Sequence, residues 1–499
     1  MQYIAIVGII LLVLIWLIKS SIKYGWIFLI LGLVGFGISM TLLSYGPVNA
    51  VFGIIFGVCS ISCGAAGMVW KINWNERRTL SAQPLPYELC SQAQHGFVFG
   101  TSNQRHIIKP EERDGHILVV GGVGSGKSSC LAIPSLRRWQ ARVFAIDIKG
   151  ELYTHTKDFR PNIKVFDPRD KSSYGYDPYM FIRTSTNPAQ EARAIAQTLI
   201  PLPPDTKNPF WIKSAQTIFT AAILHFYTDF SFVGTIKRIQ SIVPRELISV
   251  IHASHNEKAR LIINNFVGLK DETLSEIFAE VSGGIIRILE DDELVSALSR
   301  DNNIAPDDLE NFRDIYIEIP AENISQWKDL LTLIVSQFIR FFERRGENPN
   351  NMPILFLIDE FARLGKFNDI SNGLATLRSK KITFCIIIQS LPQLDDIYGR
   401  NTSKVICDTC SYQAVLSVSE ADSQDTFSRL VGTYEKQQPS KGQSFMPGLG
   451  IPLGRNEQET TVDKRKIKPE DFATLVRDKK LVLITPLGNF VIDKRAYWE

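Results

Sequence analysis

The stretch Gly121-Gly-Val-Gly-Ser-Gly-Lys-Ser128 constrains the fold more than any other part of the chain. Such a loop works only where a strand ends and a helix begins. Its glycines let backbone amides close around phosphate oxygens, and the helix aims its positive dipole end at them. The flanks agree, since His116-Ile-Leu-Val-Val120 is an apolar strand and Ser129 to Arg138 reads as a helix. The candidate phosphate-binding residues are therefore Gly121, Gly122, Val123, Gly124, Ser125, Gly126, Lys127, Ser128 and Ser129. Lys127 is expected to reach the terminal phosphates and Ser128 to hold magnesium.

The strand and helix grammar continues downstream. Arg142-Val-Phe-Ala-Ile-Asp147 is a second apolar strand ending in a carboxylate, followed by Lys149-Gly150-Glu151, and Lys164-Val-Phe-Asp167 is a third. Strand, helix, strand in this order predicts a parallel sheet whose ligands gather at the carboxyl ends of the strands. Strands resume at Asp314 to Ile319, and a long helix from about Gln326 to Arg345 precedes Ile354-Leu-Phe-Leu-Ile-Asp359-Glu360. A buried strand that stops at two acids is what a phosphate loop needs beside it. Asp359 can bind the cation of Ser128 through water, and Glu360 can polarise the attacking water as general base. Alone, the pair is as readily a solvated acidic turn; beside the loop at Gly121 the magnesium reading prevails. Thr383 to Ile388 is a further buried strand ending in Gln389, whose amide can sense a γ-phosphate by hydrogen bonding. Arg378, in Leu377-Arg-Ser-Lys-Lys381, reads on its own residues as an exposed basic turn.

Length and composition place bounds around these motifs. The 499 residues suffice for two or three domains, and a formal charge of +3 gives no global argument for an acidic partner. Seven scattered cysteines frame neither a disulfide set nor a zinc site and read as reduced, mostly buried thiols. Tyr3 to Ile18, Trp26 to Leu43 and Ala50 to Trp70 are apolar and free of charge, each near the roughly 20 residues that span hydrocarbon, although the first is short. A cleaved signal peptide fits less well, because no basic residue precedes the first stretch. Lys19 and Lys23 lie in the first break and Lys71, Arg77 and Arg78 follow the third stretch, which puts the amino terminus outside and the nucleotide domain inside. Asn73 to Asp114 is a polar linker leading into short strands such as Gly96 to Gly100.

From about Asn187 to Arg300 the β signal gives way to helical periodicity, as in Trp211, Ala215, Ile218, Phe219, Ala222, Ile223 and Phe226. This middle region carries thirteen Asp and Glu against eleven Lys and Arg, so its composition does not make it a DNA-binding surface. Gln413 to Ser417 and Leu481 to Thr485 read as later strands, and Gly432 to Arg455, rich in glycine and proline, as a loop.

Taken in order, Gly124-Ser-Gly-Lys-Ser128, Ile133-Pro-Ser-Leu136, Asp147-Ile-Lys-Gly-Glu-Leu-Tyr153, Val165-Phe-Asp-Pro168, Asn208-Pro-Phe-Trp211, Asp359-Glu-Phe-Ala-Arg-Leu-Gly365, Gln389 and Lys468-Pro-Glu-Asp471 resemble the type IV coupling proteins. These are membrane ATPases of conjugative type IV secretion, within the FtsK/HerA-like DNA translocases. The resemblance implies an α/β fold: a RecA-like P-loop NTPase core with an all-α insertion and N-terminal transmembrane helices. Residues 1–72 are then the anchor, 73–186 and 301–499 the two parts of the nucleotide-binding domain, and 187–300 the insertion. It implies ATP and Mg²⁺ as cofactors and a homohexamer in the bacterial inner membrane, multi-pass, with the ATPase domain in the cytoplasm. The implied partners are relaxase with single-stranded DNA, and inner-membrane components of the secretion system. By position, Asp359 and Glu360 serve metal and water, Gln389 couples hydrolysis to movement, and Arg378 is an arginine finger acting on the neighbouring subunit. Three spans with a tiny external loop depart from the family's usual two, and no acidic carboxyl-terminal tail is seen, so substrate recruitment is expected to use the insertion or the core. The alternative function is a nucleotide-gated receptor for secreted proteins that pumps no DNA.

Overall fold

Uninterrupted runs of Ile, Val, Leu and Phe form the middle of the molecule, as strands covered on both faces require. The computed structural model describes residues 85–499 apart from 87, 90–94, 104, 204–205, 368–369 and 446–451. The three apolar stretches read as membrane spans, and the linker through residue 84, lie outside the described residues. Among those described, no helix is long and apolar enough to cross a membrane.

In chain order the strands are β1 (Gly96–Ser102), β2 (Arg105–Pro110), β3 (Ile117–Gly121), β4 (Arg142–Asp147), β5 (Ile163–Phe166), β6 (Asp314–Glu318), β7 (Ile354–Ile358), β8 (Ile382–Ile388), β9 (Tyr412–Ser417), β10 (Thr433–Phe445), β11 (Pro452–Arg465), β12 (Lys480–Thr485) and β13 (Gly488–Asp493). All except β10 and β11 join one sheet in the order β2-β1-β13-β12-β9-β3-β8-β7-β4-β6-β5. From β9 to β5 every pairing is parallel, so all these carboxyl ends share one edge. The remaining four strands extend the sheet in antiparallel fashion beyond β9. This is the α/β core expected, and β3, β7 and β8 are buried along their whole length.

The two faces of the sheet are packed differently. On one, Ile117, Val119, Ala145, Leu355, Leu357 and Ile387 meet Leu131, Ile133, Leu136 and Trp139 from the helix that follows β3. On the other, Phe144, Phe356 and Phe384 make a row of rings across β4, β7 and β8, with centroids 4.8 and 5.0 Å apart. Phe338 and Phe342 of the helix Ile324–Glu343 close on that row at 4.7 and 5.8 Å. Buried rings of this kind contribute roughly 2 kcal/mol each by transfer alone. They fix the helix against the strand that carries Asp359.

Among the described residues no strand lies between β5 and β6. The segment is helical, with Phe210–Phe226 burying Ala215, Ile218, Phe219, Ala222, Ile223 and Phe226 as their spacing predicts, while Trp211, first of that series, is only half-buried in the opening turn. Ser231, Asn256 and Asp291 cap three of its helices by accepting backbone N–H bonds, the side-chain chemistry expected at such ends. Charged ties bind the segment to the core helix Ile324–Glu343: Glu191 pairs with Arg340 and Arg344, and Trp327 Nε1 donates to Asp291 at 2.7 Å.

One expectation is corrected. Within the stretch Gly432 to Arg455, read as a loop, the described residues are mostly strand: β10 pairs antiparallel with β11, in register from Thr433↔Arg465 to Ser444↔Gly454, with a shift before Phe445↔Pro452. Its residues show no apolar alternation. Strand pairing uses backbone groups that every residue carries, so by itself it leaves no period-2 signature in the sequence.

Candidate active site

The phosphate loop leaves β3 at Gly121 and runs into a helix whose first turn, Lys127–Ala132, is π before α geometry takes over at Ile133–Arg138. Pro134 explains the irregularity, since it has no N–H to give, and Ile133 N–H bonds instead to Ser128 O five residues back. Gly121 must be glycine because a Cβ there would stand 2.5 Å from Ser125 Oγ, a buried hydroxyl with no hydrogen-bond partner. Gly126 sits at φ 93°, a conformation that few other residues accept. The loop is moored by Gly122 N–H, which donates to Ser417 O at the end of β9 over 2.9 Å. Lys127 Nζ donates to the Gly121 and Gly122 carbonyls at 2.6 and 3.0 Å. Burial pulls its pKa down, while the carboxylates of Asp359 and Glu360 oppose that shift.

Those two acids arrive by sheet order. β8 alone separates β3 from β7, and the pairings Val120↔Ile388 and Ile358↔Ile386 bring the strand ends level. Asp359 follows β7 directly, is 2% exposed, and accepts the Glu360 N–H on Oδ1 at 3.1 Å. Burial first, then the nearby Glu360 and Asp147 carboxylates, raise its pKa to about 6, against the pull of Lys149 and Lys127. Glu360 adopts φ 49°, a left-handed conformation that costs a non-glycine residue roughly 1–2 kcal/mol. Its carboxylate pairs with Lys149 Nζ at 3.4 Å and with Arg363 at 3.0 Å. Burial pushes this group up, but the Arg363 hydrogen bond and the Lys149 charge outweigh it and hold the pKa below the usual range. Asp147, buried at the end of β4, accepts the N–H groups of Lys149 and Tyr153 at 3.3 and 2.9 Å. It thereby shapes the turn that presents Lys149.

An orphaned hydroxyl in a glycine-built loop, a lysine in the field of two carboxylates, and Ser128 beside that lysine fit a polyphosphate with a divalent cation. Residues 89–499 match the family model described as Type IV secretory system Conjugative DNA transfer. The chain belongs to that family. Among curated relatives it is 25% identical to Protein VirD4 of Rhizobium radiobacter over 406 residues, covering 77% of this chain and 57% of the relative. It thus spans less than two thirds of that relative's length. Among solved structures, the bacterial conjugative coupling protein TrwBdeltaN70, unbound, superposes with a TM-score of 0.64 at 18% identity, covering 82% of this chain and 89% of the other. The plasmid coupling protein TrwB in complex with the non-hydrolysable ATP analogue ADPNP gives a TM-score of 0.62 at 16% identity, covering 85% and 92%. These likenesses establish a shared fold.

In this member of the conjugative DNA-transfer family, Gln389 follows β8 one residue beyond the Val120↔Ile388 pair. Its backbone N–H donates to Gln393 Oε1 at 3.1 Å, at the entrance to the helix Leu391–Tyr398. Lys127, Ser128, Asp359, Glu360 and Gln389 therefore share the carboxyl edge. Arg378 does not join them: it is exposed, in the 3₁₀ turn Arg378–Lys380 that feeds the amino end of β8. A seven-residue strand, roughly 20 Å long, separates it from its own phosphate loop. Sequence reasoning missed Arg363 as a Glu360 partner and named Lys149 only by its place after the second strand and in a family element, with no role. The one available signal for Lys149 was its place two residues after a strand-ending carboxylate.

Proposed function

We propose that the chain is a multi-pass ATPase of the bacterial inner membrane. Its cytoplasmic homohexamer couples relaxase-bound single-stranded DNA to a type IV secretion channel and drives its transfer in conjugation. The single observation that supports this most is the adjacency of Lys127 to Asp359 and Glu360 across β8, in a chain of the conjugative DNA-transfer family. In this reading residues 1–72 are the anchor, 187–300 an all-α insertion domain, and 73–186 with 301–499 the nucleotide-binding domain.

ATP with Mg²⁺, when bound, supplies the phosphoryl group and the cation that neutralises its charge. Lys127 would exchange its two loop carbonyls for phosphate oxygens, and Ser128, with Asp359 acting through water, would hold the cation. Glu360 takes a proton from water at a carboxylate oxygen. Its depressed pKa makes it a weak base until Lys149 and Arg363 let go, so their release belongs to the activation step. Gln389 passes the change to the helix Leu391–Tyr398. Arg378, remote from its own loop, serves the site of the neighbouring subunit.

The test is ATP turnover by the purified hexamer with and without single-stranded DNA. Stimulation by DNA that Lys127→Ala abolishes supports the reading; a rate indifferent to both overturns it. A receptor that only binds nucleotide would continue transfer with Glu360→Gln.

A further inference from the structure

The segment that follows β13 lies against the phosphate loop, and neither the motifs nor the family resemblance gave it a role. Lys494, half-buried, donates from Nζ to the carbonyl oxygen of Ser125 at 2.9 Å, across 369 residues of sequence. Three residues on, Tyr497 N–H donates to Ser129 O at 3.0 Å. Tyr497 is itself anchored: its hydroxyl meets His155 Nε2 at 3.0 Å, and its ring faces the Arg137 guanidinium at 4.7 Å. The same guanidinium also lies over the Phe159 ring, 4.4 Å from its centroid. Lys494 N–H bonds to Lys479 O at 2.8 Å, which fixes the base of the side chain.

The Ser125 carbonyl belongs to the one peptide in the loop that precedes Gly126 at φ 93°. Turning that peptide over changes ψ of Ser125 and φ of Gly126, and glycine accepts either sign of φ at similar cost. Sterics therefore do not choose its orientation; a partner must. In a trans peptide the C=O and N–H point opposite ways, so an ammonium holding the Ser125 oxygen on one side turns the Gly126 N–H to the other. That N–H is among the amides with which such a loop receives phosphate. A bond from a charged donor is of the strong class.

We propose that Lys494 is a positioning residue for nucleotide binding, holding the Ser125–Gly126 peptide of the phosphate loop in the orientation that presents its amide to phosphate. The inference rests on the nucleotide-binding reading above. It is tested with the full chain by titrating a fluorescent ADP analogue with Mg²⁺, alongside thermal melting without nucleotide. Lys494→Met should weaken binding about tenfold or more, the worth of a charged hydrogen bond. The Tm should stay at the wild-type value, and Lys494→Arg should restore most of the affinity. Tyr497→Ala, which loosens the anchored segment but keeps the ammonium, should weaken binding in the same direction. If Lys494→Met binds as the wild type while Lys127→Ala does not bind, the inference falls and the phosphate-loop reading stands. Affinity and Tm falling together, without rescue by arginine, overturns it in favour of a structural contact. If Lys127→Ala binds normally, both readings fail.

Discussion

Glu360, the proposed general base, shows how much of a side chain's setting depends on contacts that no motif announces. The acid was legible, because a buried strand stopping at two carboxylates beside a phosphate loop has few other uses. Its partner Lys149 was not, since only the fold brings it there, whereas Arg363 reaches back three residues within the turn that follows β7. We expect Glu360→Gln to reduce ATP turnover by about 100-fold or more, the usual worth of a general base. Nucleotide affinity should barely move, and single-turnover kinetics with parallel binding titrations check both. His116 was read only as the first residue of a strand. It is fully buried, with Nε2 against Leu374 O at 2.7 Å and Nδ1 accepting Phe384 N–H at 3.0 Å, which assigns the proton to Nε2. Burial chiefly, helped by Lys109 and Arg378, lowers its pKa to about 4. Below the ordinary histidine value the unfolded chain binds a proton that the folded chain refuses. Stability should therefore fall as pH drops from about 6.5 to about 4 and level off below. Melting curves across that window test this, and His116→Asn, though less stable at pH 7, should lose part of the slope.

At the scale of elements, strands buried on both faces and the long helix Ile324–Glu343 were legible because periodicity and composition follow burial directly. The ribbon β10 and β11 was not, and neither were β2 and β13, which carry no motif. What locks elements together was equally invisible. Arg160 and Asp314, 6% and 0% exposed, form a two-pronged pair at 2.7 and 3.1 Å. Arg160 also donates to Leu136 O at 2.8 Å and Ala141 O at 2.6 Å, and Asp314 receives Val143 N–H at 2.9 Å. The pair pins the end of the loop helix to the start of β4 and β6. Asp314→Ala should cost about 3–5 kcal/mol, because it strands a buried guanidinium. A double replacement, Arg160→Met with Asp314→Leu, should recover much of that loss; denaturant unfolding of both variants measures the difference.

For the whole molecule, the order of motifs along the chain was enough to predict the α/β core, because a phosphate loop after one strand and an acid pair after another admit few sheet orders. It did not show which residues face a neighbouring copy. Lys127 and Arg378 sit at opposite ends of the strands. Lys127→Ala and Arg378→Ala should each be inactive alone, yet mixing the two variants under conditions that allow subunit exchange should return a measurable fraction of wild-type turnover. Activity that stays at zero in the mixture would exclude an arginine acting in trans.

The distance spanned by β8 has a further consequence. On the proposed roles, Arg378 is a trigger kept at the far end of β8 from its own fuel chamber, so a solitary copy should spend nothing until a neighbour brings its arginine alongside.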